Sequence, residues 1–174
     1  ANTVHDVIER AKIVGGDFVV VLGPGPIGLL AGLTAKAAGA RHVVMVGAPQ
    51  DVGLRLDKAR ELKFETVLNV GEDNVVDTIM QLTNGIGAGL VIEWSGAPRA
   101  IESTVGRVRK KGRIWAIGLA GGRNVDFPWE NAAFKVLDIH FCLSTSSTSW
   151  DRTINLISTG QLPAQEVISH RMML

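Results

Sequence analysis

The chain of 174 residues contains a single cysteine, Cys142. That excludes an internal disulfide and leaves too few thiols for a zinc cluster, so a reducing compartment, the cytoplasm, is the expectation. Net charge is almost absent as well. The 18 basic and 17 acidic side chains leave +1, so no overall field draws the protein toward nucleic acid or a membrane surface. Long apolar runs are missing: no stretch of about 18 uninterrupted apolar residues occurs. The opening ANTVHDVIERAK carries charges where a secretory signal needs its apolar segment. Small partners are left, with neither a nucleic acid nor a membrane expected.

What is present is a core. At 46% hydrophobic and 20% charged, the composition is that of a globular protein, and the length suits one domain with a substantial interior. Thr3 can cap an amphipathic helix over 4–12, yet no strand precedes it, and the chain stops on the apolar run HRMML. Both ends look cut. The expectation is one domain over 1–174 that belongs to a longer polypeptide.

Six β-branched or apolar runs punctuate the chain: FVVVL (18–22), HVVMV (42–46), TVLNV (66–70), LVIEW (90–94), RIWAI (113–117) and DIHFCL (138–143). Between them, apolar residues recur at helical spacing over 27–38, 51–63 and 74–83, with further helices expected over 97–108 and 150–159. Gly39, Gly85 and Gly160 stand where helices end, and Thr148 with Asp151 forms a capping-box-like pair before the last. Strands apolar on both faces need helices on both sides. An α/β fold follows: a Rossmann-type, doubly wound, six-stranded parallel sheet of order 3-2-1-4-5-6.

The glycine-rich segment GPGPIG (23–28) joins the first strand to the first crossover helix. Gly23 can take the positive φ that reverses the chain, and Gly25 has no side chain to hold a ligand away. Gly28 lets the helix pack close to its strand, and Pro26 suits the first helical position. The amides of Ile27, Gly28 and Leu29, at the positive end of the helix, then form a site for a pyrophosphate. Because this pattern lies between a strand and a helix, a dinucleotide site is predicted. Glycines serving only a tight turn, and a methyltransferase that binds S-adenosylmethionine on a similar turn, remain open.

An NAD site of this kind ends its second strand on an acid that binds the ribose hydroxyls. Here that place falls to Gly47. A carboxylate there would repel a 2′-phosphate at ~5 Å by about 3 kcal/mol per unit charge, so Gly47 permits NADP without requiring it. Arg55 and Lys58 are the basic candidates nearby. Equally, Arg55 could be a solvated helix residue and Asp51 an N-cap. RVRKKGR (107–113) reads as a solvated helix end. The tryptophans at 94, 115, 129 and 150 share no face, so core and rim packing accounts for them.

The strings GDFVVVLGPGPIGLLAGLTAKAAGARHVVMVG, LDKARELKFETVLNV, VIEWSGAP, RIWAIG and DIHFCLSTSSTSWDRTINLISTGQLP resemble, almost end to end, the cofactor domain of zinc-dependent medium-chain dehydrogenases, the alcohol, sorbitol and threonine dehydrogenase group. The resemblance implies NAD or NADP as cofactor and hydride transfer with a small alcohol or polyol. It places Gly23, Gly25, Ile27 and Gly28 at the pyrophosphate, Gly47 and Arg55 near the adenosine ribose, and Ser95 on the adenine side. Gly118 and the backbone of Cys142, Leu143 and Ser144 would line the nicotinamide. The family's catalytic zinc ligands have no match in this chain, so the zinc is expected in a catalytic domain outside it, and the chain alone is expected to bind cofactor without catalysing the reaction. PQDVG (49–53) looks like an insertion after the second strand. In relatives the sixth strand pairs edge to edge with another subunit's, which implies a possible homo-oligomer. A non-catalytic nucleotide-sensing module and a zinc-independent reductase are the other readings.

Overall fold

Strand β1 (Phe18–Leu22) is buried along its whole length, and so are β2 (His42–Gly47, apart from its first residue) and β4 (Ala88–Glu93). Their apolar side chains alternate between two cores. Val19, Val21, Val43, Met45, Leu90 and Ile92 pack on one face, and Val20, Leu22, Val44, Val46 and Val91 on the other. The computed structural model of the chain, which describes residues 1–173, resolves this demand for two covers into a six-stranded parallel sheet of order β3-β2-β1-β4-β5-β6. β3 spans Thr66–Asn69, β5 Val108–Ala116 and β6 Asp138–Phe141. Leu174, the last residue of the HRMML run, lies outside the described residues. No helix among the described residues is long and apolar enough to cross a membrane.

Crossover helices supply the cover. On the first face lie α1 (Asn2–Val4), which passes into a π-helical stretch at His5–Arg10, then α2 (Pro26–Ala37) and α3 (Arg55–Glu61). On the second lie α4 (Val75–Leu82), α6 (Thr104–Arg107) and α7 (Trp129–Phe134), with α5 (Pro98–Glu102) leading into α6. The final helix is α8 (Ser147–Ser158). Gly39, Gly85 and Gly160 each follow a helix end at positive φ, as their positions predict.

Several boundaries depart from the sequence pattern, each for a local reason. Thr3 is not a cap: the helix starts at Asn2, and Thr3 is buried, where the Thr34 hydroxyl donates to its Oγ1 at 3.3 Å. The helix expected over 51–63 is divided. Asp51 closes a 3-10 turn at Pro49–Asp51, Gly53 takes φ 82°, and α3 begins only at Arg55. The helix expected over 97–108 breaks at Ser103. There the Ser103 and Thr104 hydroxyls donate back to the carbonyls of Ala100 and Ile101, local bonds that compete with the helical ladder. The cap of α8 is Ser146 with Ser149, not Thr148 with Asp151. The basic run closes a helix only at Arg107, the last residue of α6: from Val108 it is strand, with a register irregularity at Ala88 and Leu90 of β4.

Candidate functional site

At the carboxyl ends of β1, β2 and β4, where the strand order reverses, a cleft of about 810 Å³ opens. Open parallel sheets bind ligands at this crevice, and the volume lies within the range of small-molecule sites. Gly23, Gly25, Pro26, Ile27, Gly28, Gly47, Arg55 and Ser95 all stand in its walls. Four other predicted residues do not. Gly118 follows β5 and packs on the Gly96 backbone and the Glu93 carboxyl group, while Cys142, Leu143 and Ser144 follow β6.

The β1–α2 turn is built as its residues require. Gly23 takes φ 101°, and a Cβ there would lie 3.0 Å from the Ser95 nitrogen. A Cβ on Gly28 would collide with the Gly23 carbonyl oxygen, so this glycine fits the helix to the turn itself. Above Gly25 a Cβ would meet nothing within 4 Å, because that side is the open cleft. No side chain caps α2. The Leu29 N–H donates to the Gly25 carbonyl at 2.9 Å, which corrects its expected place among the free amides. Ile27 and Gly28 keep N–H groups with no intrahelical acceptor, at the positive end of a helix.

The cleft wall beyond β2 holds an acid after all, four positions past the expected one. A Cβ at Gly47 would lie 2.7 Å from Leu56 and 2.8 Å from Pro24, so close packing explains the glycine. Asp51, in the turn that follows, is 5% exposed and stands in the cleft wall. Its Oδ2 accepts from the Ala48 N–H and its Oδ1 from Arg55 Nη1, both at 2.9 Å. Arg55 is therefore paired rather than simply solvated, and Lys58 is drawn to Glu61. The 3-10 turn at Pro49–Asp51 is what carries Asp51 back to the cleft.

Across the cleft, Glu93 is fully buried at the end of β4. Its carboxyl group accepts from the Ser95 N–H at 2.8 Å, the Gly96 N–H at 3.1 Å and the Ser95 hydroxyl, and so shapes the turn that carries Ser95. Trp94 joins the wall as well, a role beyond packing. Arg107 corrects the reading of RVRKKGR as wholly solvated. It is only 6% exposed and lines the cleft with Arg99 and Ser103, whereas Lys110 and Lys111 are exposed. Neighbouring lysines hid it, since a basic residue in a basic run looks like surface.

Cys142 is half-buried, and burial, with the nearby Asp6 carboxyl group, pushes its thiol up to about 11. At pH 8 the thiolate is then about one part in a thousand. Iodoacetamide at that pH is expected to leave most of the chain unmodified after an hour by intact mass, and complete alkylation within minutes would contradict this environment. Among the described residues no group of three or more His, Cys, Asp or Glu side chains stands together to hold a metal ion.

Comparison with known proteins places these features in company. A family described as zinc-binding dehydrogenase matches residues 26–159. Sorbitol dehydrogenase of Halalkalibacterium halodurans is 32% identical, over 95% of this chain and 48% of that protein. L-threonine 3-dehydrogenase of Pyrococcus horikoshii is 33% identical, over 98% of this chain and 48% of its own length. Among solved structures, an alcohol dehydrogenase from Thermus sp. ATN1 superposes with a TM-score of 0.87 at 27% identity, over 97% of this chain and 48% of that one. The chain spans about half the length of the curated relatives it matches.

Proposed function

This chain belongs to the zinc-binding dehydrogenase family, and from that premise we propose that residues 1–174 bind a nicotinamide dinucleotide for an oxidoreductase acting on an alcohol or polyol. The observation that carries the reading is the uncapped start of α2, with Gly25 open to the cleft above it. Ile27 and Gly28 donate to the pyrophosphate there, and the helix end supplies roughly half a positive charge. Ser95 and Val70 flank the adenosine side, while Gly118 and the backbone of Cys142, Leu143 and Ser144 face the nicotinamide. When bound, the dinucleotide would supply the hydride acceptor or donor. The described residues do not fit a zinc site, so the chemistry assigned to them is binding and orientation. Family membership disfavours the methyltransferase alternative. The lone thiol suits a reducing compartment, which we take to be the cytoplasm. The outer edge of β6, with Phe141 81% and Leu143 82% exposed, offers a surface to a second copy.

Asp51 refines the choice of cofactor. A buried carboxylate in the ribose wall accepts from sugar hydroxyls and repels a 2′-phosphate, and Arg55 is held by that same group. We therefore favour NAD over NADP. Titrating the chain with NADH and NADPH, and following energy transfer from Trp94 in the cleft wall, tests both statements. Saturation with NADH at the lower concentration is expected, and Asp51→Asn should narrow or reverse the preference by about tenfold, the effect of one charge near the phosphate. Saturation with neither nucleotide would end the dinucleotide reading, and a preference for NADPH would end the role given to Asp51.

A further inference from the structure

Arg107 presents a cation where the fold has no use for one. It is 6% exposed, Nη1 donates to the Ser103 hydroxyl, and Nε has no partner among the described residues. No Asp or Glu pairs with it among those residues. Burying an uncompensated charge is unfavourable, and a methionine of similar reach would fill the same space without that penalty. Desolvation pushes its pKa down to about 10, which still leaves it protonated at neutral pH. Arg107 is one of the residues that line the cleft. A group kept charged and unpaired at that place is set to meet something that enters.

The walls nearby say what. Val46, Val70, Ala97 and Ala100 of the lining are apolar, Arg99 is exposed, and Ser103 adds one hydroxyl already engaged by Arg107. Such a setting suits a flat heteroaromatic ring poorly hydrated on its faces and bearing acceptors on its edge. A phosphate is better served in the same cleft by the uncapped amides at the start of α2, and Arg99 in the lining is exposed and keeps its own water. A guanidinium is donor-only, so the edge it reads must carry acceptors, as ring nitrogens of a purine do.

We propose that Arg107 is a base-reading residue: its guanidinium, which no carboxylate claims, donates to a ring nitrogen of the purine that fills this part of the cleft. This rests on the reading of the cleft as a nucleotide site and adds to it a specific polar contact to the base.

Calorimetric titration of the 174-residue chain and its Arg107→Met variant with ADP and with inorganic pyrophosphate tests the proposal, alongside thermal unfolding of both proteins without ligand. A hydrogen bond from a charged donor predicts a loss of ADP affinity of about tenfold to a hundredfold in the variant. Pyrophosphate affinity should stay within twofold, and the Tm of the free variant should hold or rise. ADP affinity unchanged by the substitution overturns the proposal and leaves the dinucleotide reading standing. An equal loss with pyrophosphate overturns it in favour of a phosphate contact, and a lower Tm overturns it in favour of a structural role. Failure of the unaltered chain to bind ADP would remove both this inference and the reading beneath it.

Discussion

Gly25→Val is expected to abolish measurable dinucleotide binding, a loss of at least about a hundredfold, while the sheet remains folded. Gly25 sits at φ −67° and ψ 173°, an extended conformation open to valine, and its Cβ would touch nothing within 4 Å. Stability should therefore move by no more than about 1 kcal/mol, with reduced freedom in the unfolded chain favouring the variant. The new methyl groups would occupy the space in front of the Ile27 and Gly28 amides. Two hydrogen bonds to a charged group, at about 1.5–3 kcal/mol each, are then lost together. Gly28 cannot serve the same test, because its Cβ would collide with the Gly23 carbonyl and disturb the turn itself. Near-normal NADH titration of a folded Gly25→Val chain would move the ligand away from this helix end.

Glu93→Ala carries the largest expected effect on stability. The carboxyl group is fully buried, and its removal leaves the N–H groups of Ser95 and Gly96 without their acceptor. A loss of about 3–5 kcal/mol follows, which for a chain of this length lowers Tm by roughly 10 °C. Glu93→Gln keeps an oxygen in place and should cost about a third as much, although its amide cannot accept at both positions. Cofactor affinity should fall in the alanine variant as well, since the Ser95 turn is a wall of the cleft. Equal unfolding midpoints for the alanine and glutamine variants would show that the carboxyl group does not hold the turn.

The fold was legible because its signals are local and periodic. Six apolar runs, three left-handed helix ends and a glycine turn between strand and helix leave few arrangements of a parallel sheet. The glycine-turn end of the cleft was legible for the same reason: Gly23, Gly25, Pro26, Ile27 and Gly28 lie within six consecutive positions, and their conformations follow from residue type. The far end was not. Asp51 reaches the cleft wall only because the chain turns back so that its side chain meets the Ala48 N–H, and nothing in a window read as one helix announces that turn. Glu93 resembles an ordinary polar strand end until three donors are seen to converge on it. Arg107 was hidden by its own neighbours, since burial of one charge among five depends on the sheet that forms beneath it.

The sheet order also bears on synthesis. β1 is hydrogen-bonded to β2 along one edge and to β4 along the other, and β4 is made long after β1 and β2. Until residues 88–93 emerge from the ribosome, β1 leaves its backbone N–H and C=O groups bare along one flank, able to recruit strands from other nascent chains. This protein should lean on chaperones in that interval, and a ribosome stalled just before β4 should hold the species most prone to aggregate.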